Sequence, residues 1–263
     1  MRFFSKTLFG LGLVSFILGG CANDGNTSGE AKQLNLIKSK DVLVIGVKKD
    51  APNFGLLNPN TNEIEGLEID IAKMLAKEIL GDENKIRLEP VTAKTRGPLL
   101  DNGALDAVIA TFTITEERKK TYDFTDPYYS DPVGFLVLKE SNFNGFGDMD
   151  GKTIGVAQAA TTNKIVDREA QKIGIKVVIK EYPDYPSLKV ALDSKRIDAF
   201  SVDKSILRGY LDDKSVILDD SLEPQEYGIV TRKSDPEWSM FMNNFVRENK
   251  DKIDELAKKW NLK

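Results

Sequence analysis

The sequence predicts an α/β fold in two lobes, on three observations. Short apolar runs alternate with stretches of helical period, the pattern of parallel sheets with right-handed crossovers. The alternation runs once from Val42 to about Asp126 and restarts near Gly151. The chain then ends on one further strand, Tyr227 to Thr231, and two helical stripes, which return it to the first unit. Two crossings between the units follow, near Tyr128 to Pro132 and near Leu222 to Tyr227. A pair of crossing segments lets lobes close on a ligand.

The N-terminus is of another kind. Arg2 and Lys6 precede an apolar run from Thr7 to Gly20, ending in Leu18-Gly19-Gly20-Cys21. A basic start, a short apolar stretch and small residues before a break are the parts of a secretory signal peptide. The run falls short of the roughly 20 apolar residues that span a bilayer. A cysteine directly after Leu-Gly-Gly resembles a bacterial lipobox, which implies cleavage before Cys21 and a lipid-modified first residue; an incidental cysteine after a plain signal peptide is the alternative. Residues 22–33 are small and polar, as in a flexible tether.

In the first unit, Val42 to Val47 is a strand of buried type, and Lys48, Lys49 and Asp50 follow at its carboxyl end. Ligands of open α/β sheets sit beyond that end, so Lys48 is either a ligand residue or a surface lysine. Asn58 to Asn62 is a turn. Ile71, Met74, Leu75, Ile79 and Leu80 share a helical face that Gly81 ends. After a strand at Ile86 to Val91, Pro98 suits a first helical turn, which places Arg96 at a helix entrance.

The stretch Leu105 to Tyr129 comes next. It opens as an apolar strand and turns polar at Thr111 and Thr113. Thr115 can cap a helix carrying Glu116, Glu117 and Arg118. Backbone N–H groups and an arginine fork at a helix start suit a carboxylate. A plain cap with a solvated arginine fits the same spacing.

The second unit repeats the grammar. Gly134 to Lys139 is a strand. Lys152 to Gln158 leads into the loop Gln158-Ala159-Ala160-Thr161-Thr162 and a helix ending at Gly174. Strands follow at Val177 to Tyr182 and Ile197 to Val202, with a helix from Pro186 between them. Asp203 either caps the next helix or holds an ammonium. Asp235-Pro236-Glu237 starts a helix, and Trp238, Phe241, Phe245, Ile253, Leu256, Ala257 and Trp260 form core stripes.

Composition excludes several classes. Among 263 residues, 41% are hydrophobic and 30% charged, which is globular. A net charge of -4 gives no basic excess for nucleic acid. The absence of histidine removes His-based triads and most zinc sites.

The ordered blocks LGGC, VLVIGVKKD, GLEIDIAKMLA, LDAVIATFTITEERKKTYDFTDPYY, GKTIGVAQAATT, RIDAFSVD and EPQEYGIVTRKSD resemble the bacterial extracellular solute-binding proteins of family 3, which serve ATP-driven importers of polar amino acids. The segments AKTRGPLLDNG, FTIT and DYPS are most similar to the aspartate/glutamate-binding branch. The resemblance covers about Leu34 to Lys263. It implies a periplasmic-binding-protein fold of type II, each lobe a central mixed sheet flanked by helices, joined by a two-strand hinge. The expected division is a signal peptide over 1–20, a lipid-anchored tether over 21–33, a first lobe of 34–128 plus 226–263, and a second lobe of 129–225.

The resemblance also implies residue roles. Arg118 would clamp the ligand α-carboxylate, helped by Thr113 from the first lobe and by Thr161 and Thr162 from the second. Thr111 would serve the amino or side-chain end, and Asp203 would pair with the α-ammonium. Lys48 and Arg96 would face the ligand side chain, with Tyr185 bordering the pocket. Two extra cations would compensate a second carboxylate, so the expected ligand is aspartate or glutamate; glutamine or another polar amino acid is the alternative, as is an added role in surface adhesion. Lipid modification is expected at Cys21, which would anchor an exported, extracytoplasmic monomer beside its permease. No enzyme activity, cofactor, metal or nucleic acid partner is expected.

Overall fold

The computed structural model describes residues 32–263. The expected signal peptide, Cys21 and most of the tether lie outside the described residues. Helix α1 (Lys32–Lys40) opens the described chain. It overlaps the last two residues assigned to the tether, and Gln33 is buried in it. Gln33 Nε2 donates to Asp106 at 2.7 Å, and its Oε1 accepts from Arg232 at 2.7 Å. The tether boundary at residue 33 is therefore corrected. The helix escaped the sequence reading because Gln33 and Ile37 are its only buried residues, too few to set a helical period.

The first lobe is organised by a five-stranded mixed sheet. Its members are β1 (Leu43–Val47), β5 (Ile86–Pro90), β6 (Ala107–Ile109), β7 (Tyr122–Phe124) and β14 (Val230–Arg232), in the order β5-β1-β6-β14-β7. The β1 pairs are parallel and the β14 pairs antiparallel. All five residues of β1 are buried, as its unbroken apolar run requires of a strand covered on both faces. A small antiparallel sheet of β2 (Asp50–Ala51), β3 (Gly55–Leu57) and β4 (Ile64–Glu65) precedes α2 (Leu67–Leu80). These strands have two or three residues each, too short for alternation to register. Helices α3 (Arg96–Asp101) and α4 (Glu116–Lys119) complete the run, and Thr115 Oγ1 accepts from Arg118 N at 3.1 Å, the cap read from spacing.

The chain leaves through β8 (Tyr129–Leu138), a ten-residue strand longer than the one expected from Gly134. Its first part pairs with β13 (Pro224–Tyr227), from Tyr129 opposite Tyr227 to Pro132 opposite Pro224. These two antiparallel segments link the lobes. The rest of β8 enters the second sheet with β9 (Thr153–Ala157), β10 (Val178–Tyr182), β11 (Ala199–Asp203) and β12 (Ser215–Ile217), in the order β10-β9-β11-β8-β12. Helices α5 (Thr162–Ile173), α6 (Tyr185–Asp193) and α7 (Lys204–Arg208) belong to this lobe. The single strand expected over Tyr227 to Thr231 is thus two strands, because Gly228 and Ile229 break it where the chain passes from one lobe to the other. Helices α8 (Pro236–Glu248) and α9 (Lys250–Lys259) pack on the first lobe, with Trp238, Phe245, Ile253 and Ala257 in its core. Among the described residues no helix is long and apolar enough to cross a membrane.

Candidate functional site

Each parallel strand of either sheet ends at the surface between the lobes, where the residues singled out in sequence collect. Lys48 follows β1, Arg96 opens α3 after β5, and Thr111 and Thr113 follow β6. From the second lobe, Thr161 and Thr162 follow β9, Tyr185 opens α6 after β10, and Asp203 ends β11. Lys48, Arg96, Thr111, Thr113, Thr162, Tyr185 and Asp203 are buried, and the lobes are closed on one another.

Arg118 sits where the lobes meet. Its Nη1 donates to Thr113 O at 2.8 Å, and its Nη2 crosses to Ala159 O at 3.1 Å. Burial pushes it down to about 9, helped by repulsion from Arg96. Thr161 Oγ1 donates to Gln225 at 2.7 Å, and Thr162 is the first residue of α5. The N-terminus of this 12-residue helix therefore approaches Arg118 from the other lobe. A cleft of about 810 Å3, lined by Thr113, Arg118, Ala159, Thr161 and Gln225 among others, opens beside them. Lys164 and Glu117 bridge its mouth at 2.6 Å.

Arg96 lies deeper. Its Nη1 donates to Ala110 O at 2.5 Å and Thr111 O at 3.0 Å, while its Nε is buried without a hydrogen-bond partner among the described residues. The ring of Phe112 carries both guanidiniums, with its centroid 3.9 Å from Arg96 Cζ and 4.8 Å from Arg118 Cζ. No carboxylate of the described residues comes within ion-pair distance of either arginine. Thr111 has φ 45°, a left-handed conformation that costs a β-branched residue about 1–3 kcal/mol. Its neighbours hold it there, since its carbonyl accepts from Arg96 and its N–H donates to Glu68 Oε1 at 2.5 Å.

Asp203 is the buried anion of the second lobe. Its Oδ2 accepts from the Tyr227 hydroxyl at 2.5 Å, and its Oδ1 has no hydrogen-bond partner among the described residues. Burial pushes its carboxyl up to about 7 against the Tyr227 hydrogen bond. The side chain does not cap α7, the structural role its position also allowed.

Lys48 differs from the arginines. Its Nζ stands 2.8 Å from Asp50 Oδ1, an ion pair that lacks hydrogen-bond alignment, and 4.3 Å from the centroid of Tyr185. Asp50 Oδ2 accepts from Tyr185 N at 3.2 Å, and Asp50 O accepts from the Tyr210 hydroxyl at 2.6 Å. Burial pulls the Lys48 ammonium down while Asp50 holds it up. Lys48 is thus a buried lysine and not a surface one, with a carboxylate of its own.

Sequence reasoning gave no site role to Asp50, Glu68, Phe112, Tyr128 or Tyr227. Two of these left a signal. Glu68 precedes Ile71 and Leu75 at helical spacing, so an acid stands in the apolar stripe of α2. Asp50 is two residues from Lys48, an acid close in sequence to a cation at the carboxyl end of β1. The aromatic residues gave none, because core rings look the same in sequence. Among the described residues no group of three or more acids, histidines or cysteines is arranged to hold a metal.

Comparison with known proteins fits this architecture. The family model of the bacterial extracellular solute-binding proteins, family 3, matches residues 43–263. The glutamine-binding protein of Geobacillus stearothermophilus is 40% identical over 85% of this chain and 85% of its own. The ABC transporter glutamine-binding protein GlnH of Bacillus subtilis (strain 168) is 35% identical over 97% of each. Among solved structures, an ancestral arginine-binding protein bound to glutamine superposes with a TM-score of 0.75 at 31% identity, over 85% of this chain and 99% of that one. The chain therefore belongs to the bacterial extracellular solute-binding proteins, family 3, and is an extracytoplasmic amino acid solute-binding protein of an ABC importer, not an enzyme.

Proposed function

We propose that this protein captures an acidic amino acid, aspartate or glutamate, between its lobes and delivers it to the importer's permease. The observation that carries this reading is a set of charges at the lobe junction without an ion-pair partner among the described residues, the buried Arg96, the half-buried Arg118 and the buried Asp203; Glu68 is buried and unpaired as well, and burial pushes its carboxyl up to about 7, toward the neutral acid. Buried charges need partners. A solute with two carboxylates and one ammonium supplies one for each.

On this reading Arg118, Thr113 and the Thr161-Thr162 end of α5 take the α-carboxylate. Asp203 takes the α-ammonium, and Arg96 takes the distal carboxylate with Thr111 and Tyr185 beside it. Lys48 serves more remotely, since Asp50 already offsets its charge. We assign 32–128 and 226–263 to one lobe and 129–225 to the other, the expected start at residue 34 moving back to include all of α1. Cys21 is assigned as the lipid-bearing first residue of an anchored monomer. Intact mass of the exported protein tests that assignment: a diacylglyceryl-modified cysteine is expected, and a free thiol at residue 21 rejects it.

Glutamine is the second reading, favoured by the names of the two relatives and by Glu68, whose negative charge lies near Arg96. Calorimetric titration with aspartate, glutamate, glutamine and asparagine separates the two. Saturable micromolar binding of an acid, tighter than of either amide, is expected. Tighter binding of glutamine than of both acids transfers the assignment.

A further inference from the structure

Glu68 is the interior acid that the proposed ligand contacts leave unused. It is fully buried on the inner side of α2. Oε1 accepts from Thr111 N at 2.5 Å and from the Tyr128 hydroxyl at 2.5 Å. Oε2 is buried and has no hydrogen-bond partner among the described residues. Two cations act on the carboxylate, Lys48 from the end of β1 and Arg96 from the start of α3, and Lys48 is already paired with Asp50.

Counting charge around it gives the cations Lys48, Arg96 and Arg118 against the carboxylates Asp50, Glu68 and Asp203. With all six ionised these charges cancel; the buried Asp131, which acts on Asp203, is met by Arg208 and Lys204. A neutral zwitterionic amino acid keeps that balance, whereas an acidic one adds a net negative charge to a water-poor site. An uncompensated buried charge is costly and is commonly removed by protonation. Asp50 is held by Lys48 and by Tyr185 N, and Asp203 gains an ammonium from the solute. Glu68 is the acid that remains. Burial already pushes its carboxyl up to about 7, and a second carboxylate beside Arg96 raises it further.

We propose that Glu68 determines specificity in its protonated form, with Oε2–H donating to the distal carboxylate of the solute beside Arg96, so that capture of one acidic amino acid takes up one proton from solution. The proton passes from bulk water to Oε2, and no other bond changes. This rests on the acidic-ligand reading above.

The test is calorimetry in buffers of different ionisation enthalpy at about pH 8, where Asp203 begins mostly ionised and releases little proton of its own. Aspartate and glutamine are titrated into the wild type and into Glu68→Gln, whose amide mimics the protonated acid. Uptake approaching one proton per aspartate is expected for the wild type, with affinity falling by about tenfold per pH unit between about pH 7.5 and 8.5. Glutamine should bring no uptake, and Glu68→Gln should bind aspartate without uptake and with a flat pH profile. No uptake by the wild type overturns the proposal, as does equal uptake by Glu68→Gln. If that variant fails to fold, the wild-type measurement decides alone. Failure of the acidic-ligand reading shows separately, as no saturable binding of aspartate or glutamate in the same titrations.

Discussion

At the Lys48 end of the interlobe surface, charge meets charge within the protein. Lys48 pairs with Asp50, Asp50 accepts the first N–H of α6, and Tyr210 from the second lobe donates to the carbonyl of Asp50. At the Arg118 end, Arg118 and Arg96 meet only backbone carbonyls and an aromatic face, and Asp203 meets only a tyrosine hydroxyl. Both ends bring a helix N-terminus of the second lobe toward the first. The α6 terminus receives a protein carboxylate, while the α5 terminus lies beside an arginine and an open cleft. On the proposed reading the difference separates two tasks, joining lobe to lobe and meeting a solute. It also shows why an inward cation is not by itself evidence for an anionic ligand: Lys48 and Arg96 both point inward, yet Lys48 already has its counter-ion.

The sharpest way to break this comparison is at Arg118. Arg118→Ala should weaken acidic amino acids by about 2–5 kcal/mol, roughly thirtyfold to several thousandfold, the cost of truncating one partner of a buried charge pair. Retention of wild-type affinity by calorimetry would remove Arg118 from the site. Asp203→Asn should cost roughly tenfold to a hundredfold, less because the amide oxygen still accepts from an ammonium. Arg96→Met should separate ligands, with aspartate and glutamate losing about tenfold more affinity than glutamine. An equal loss for acids and amides would leave Arg96 as structural. Asp50→Asn probes the other end. It leaves Lys48 buried without its carboxylate, so the thermal midpoint should fall by several degrees while the ranking of ligands stays unchanged. A changed ranking would move Lys48 into the recognition set.

The two carboxyls raised to about 7 add a pH test with opposite signs. Protonating Asp203 removes the partner of the α-ammonium, so binding of every amino acid should weaken as pH falls below about 7. Ionising Glu68 opposes only the acids, so their affinity alone should also fall above about 7, giving a bell for aspartate and a one-sided curve for glutamine. In the ligand-free protein these groups bind protons more tightly than an unfolded chain does. Their contribution to stability is therefore largest below the ordinary carboxylate range and is lost as pH rises through about 7. Melting curves of Asp203→Asn should show a weaker loss across that interval than the wild type.

Local chemistry was enough to read much of this protein. The apolar run of β1, the Thr115 cap and the Asp235-Pro236 start depend on neighbours within a few residues, and each appears where spacing put it. Strands with ligand-competent residues at their carboxyl ends likewise announced on which surface those residues would collect. Only the tertiary structure decided which charges are paired. Asp50 reaches α6 across 135 positions of sequence, and Tyr128 reaches Glu68 across 60. It also revealed α1, whose polar Gln33 is buried because Asp106, Asp235 and Arg232 surround it. Residue type fixes how many charges a chain can bury. Whether each meets a protein partner or is left for a solute depends on contacts between distant segments, which no periodicity records.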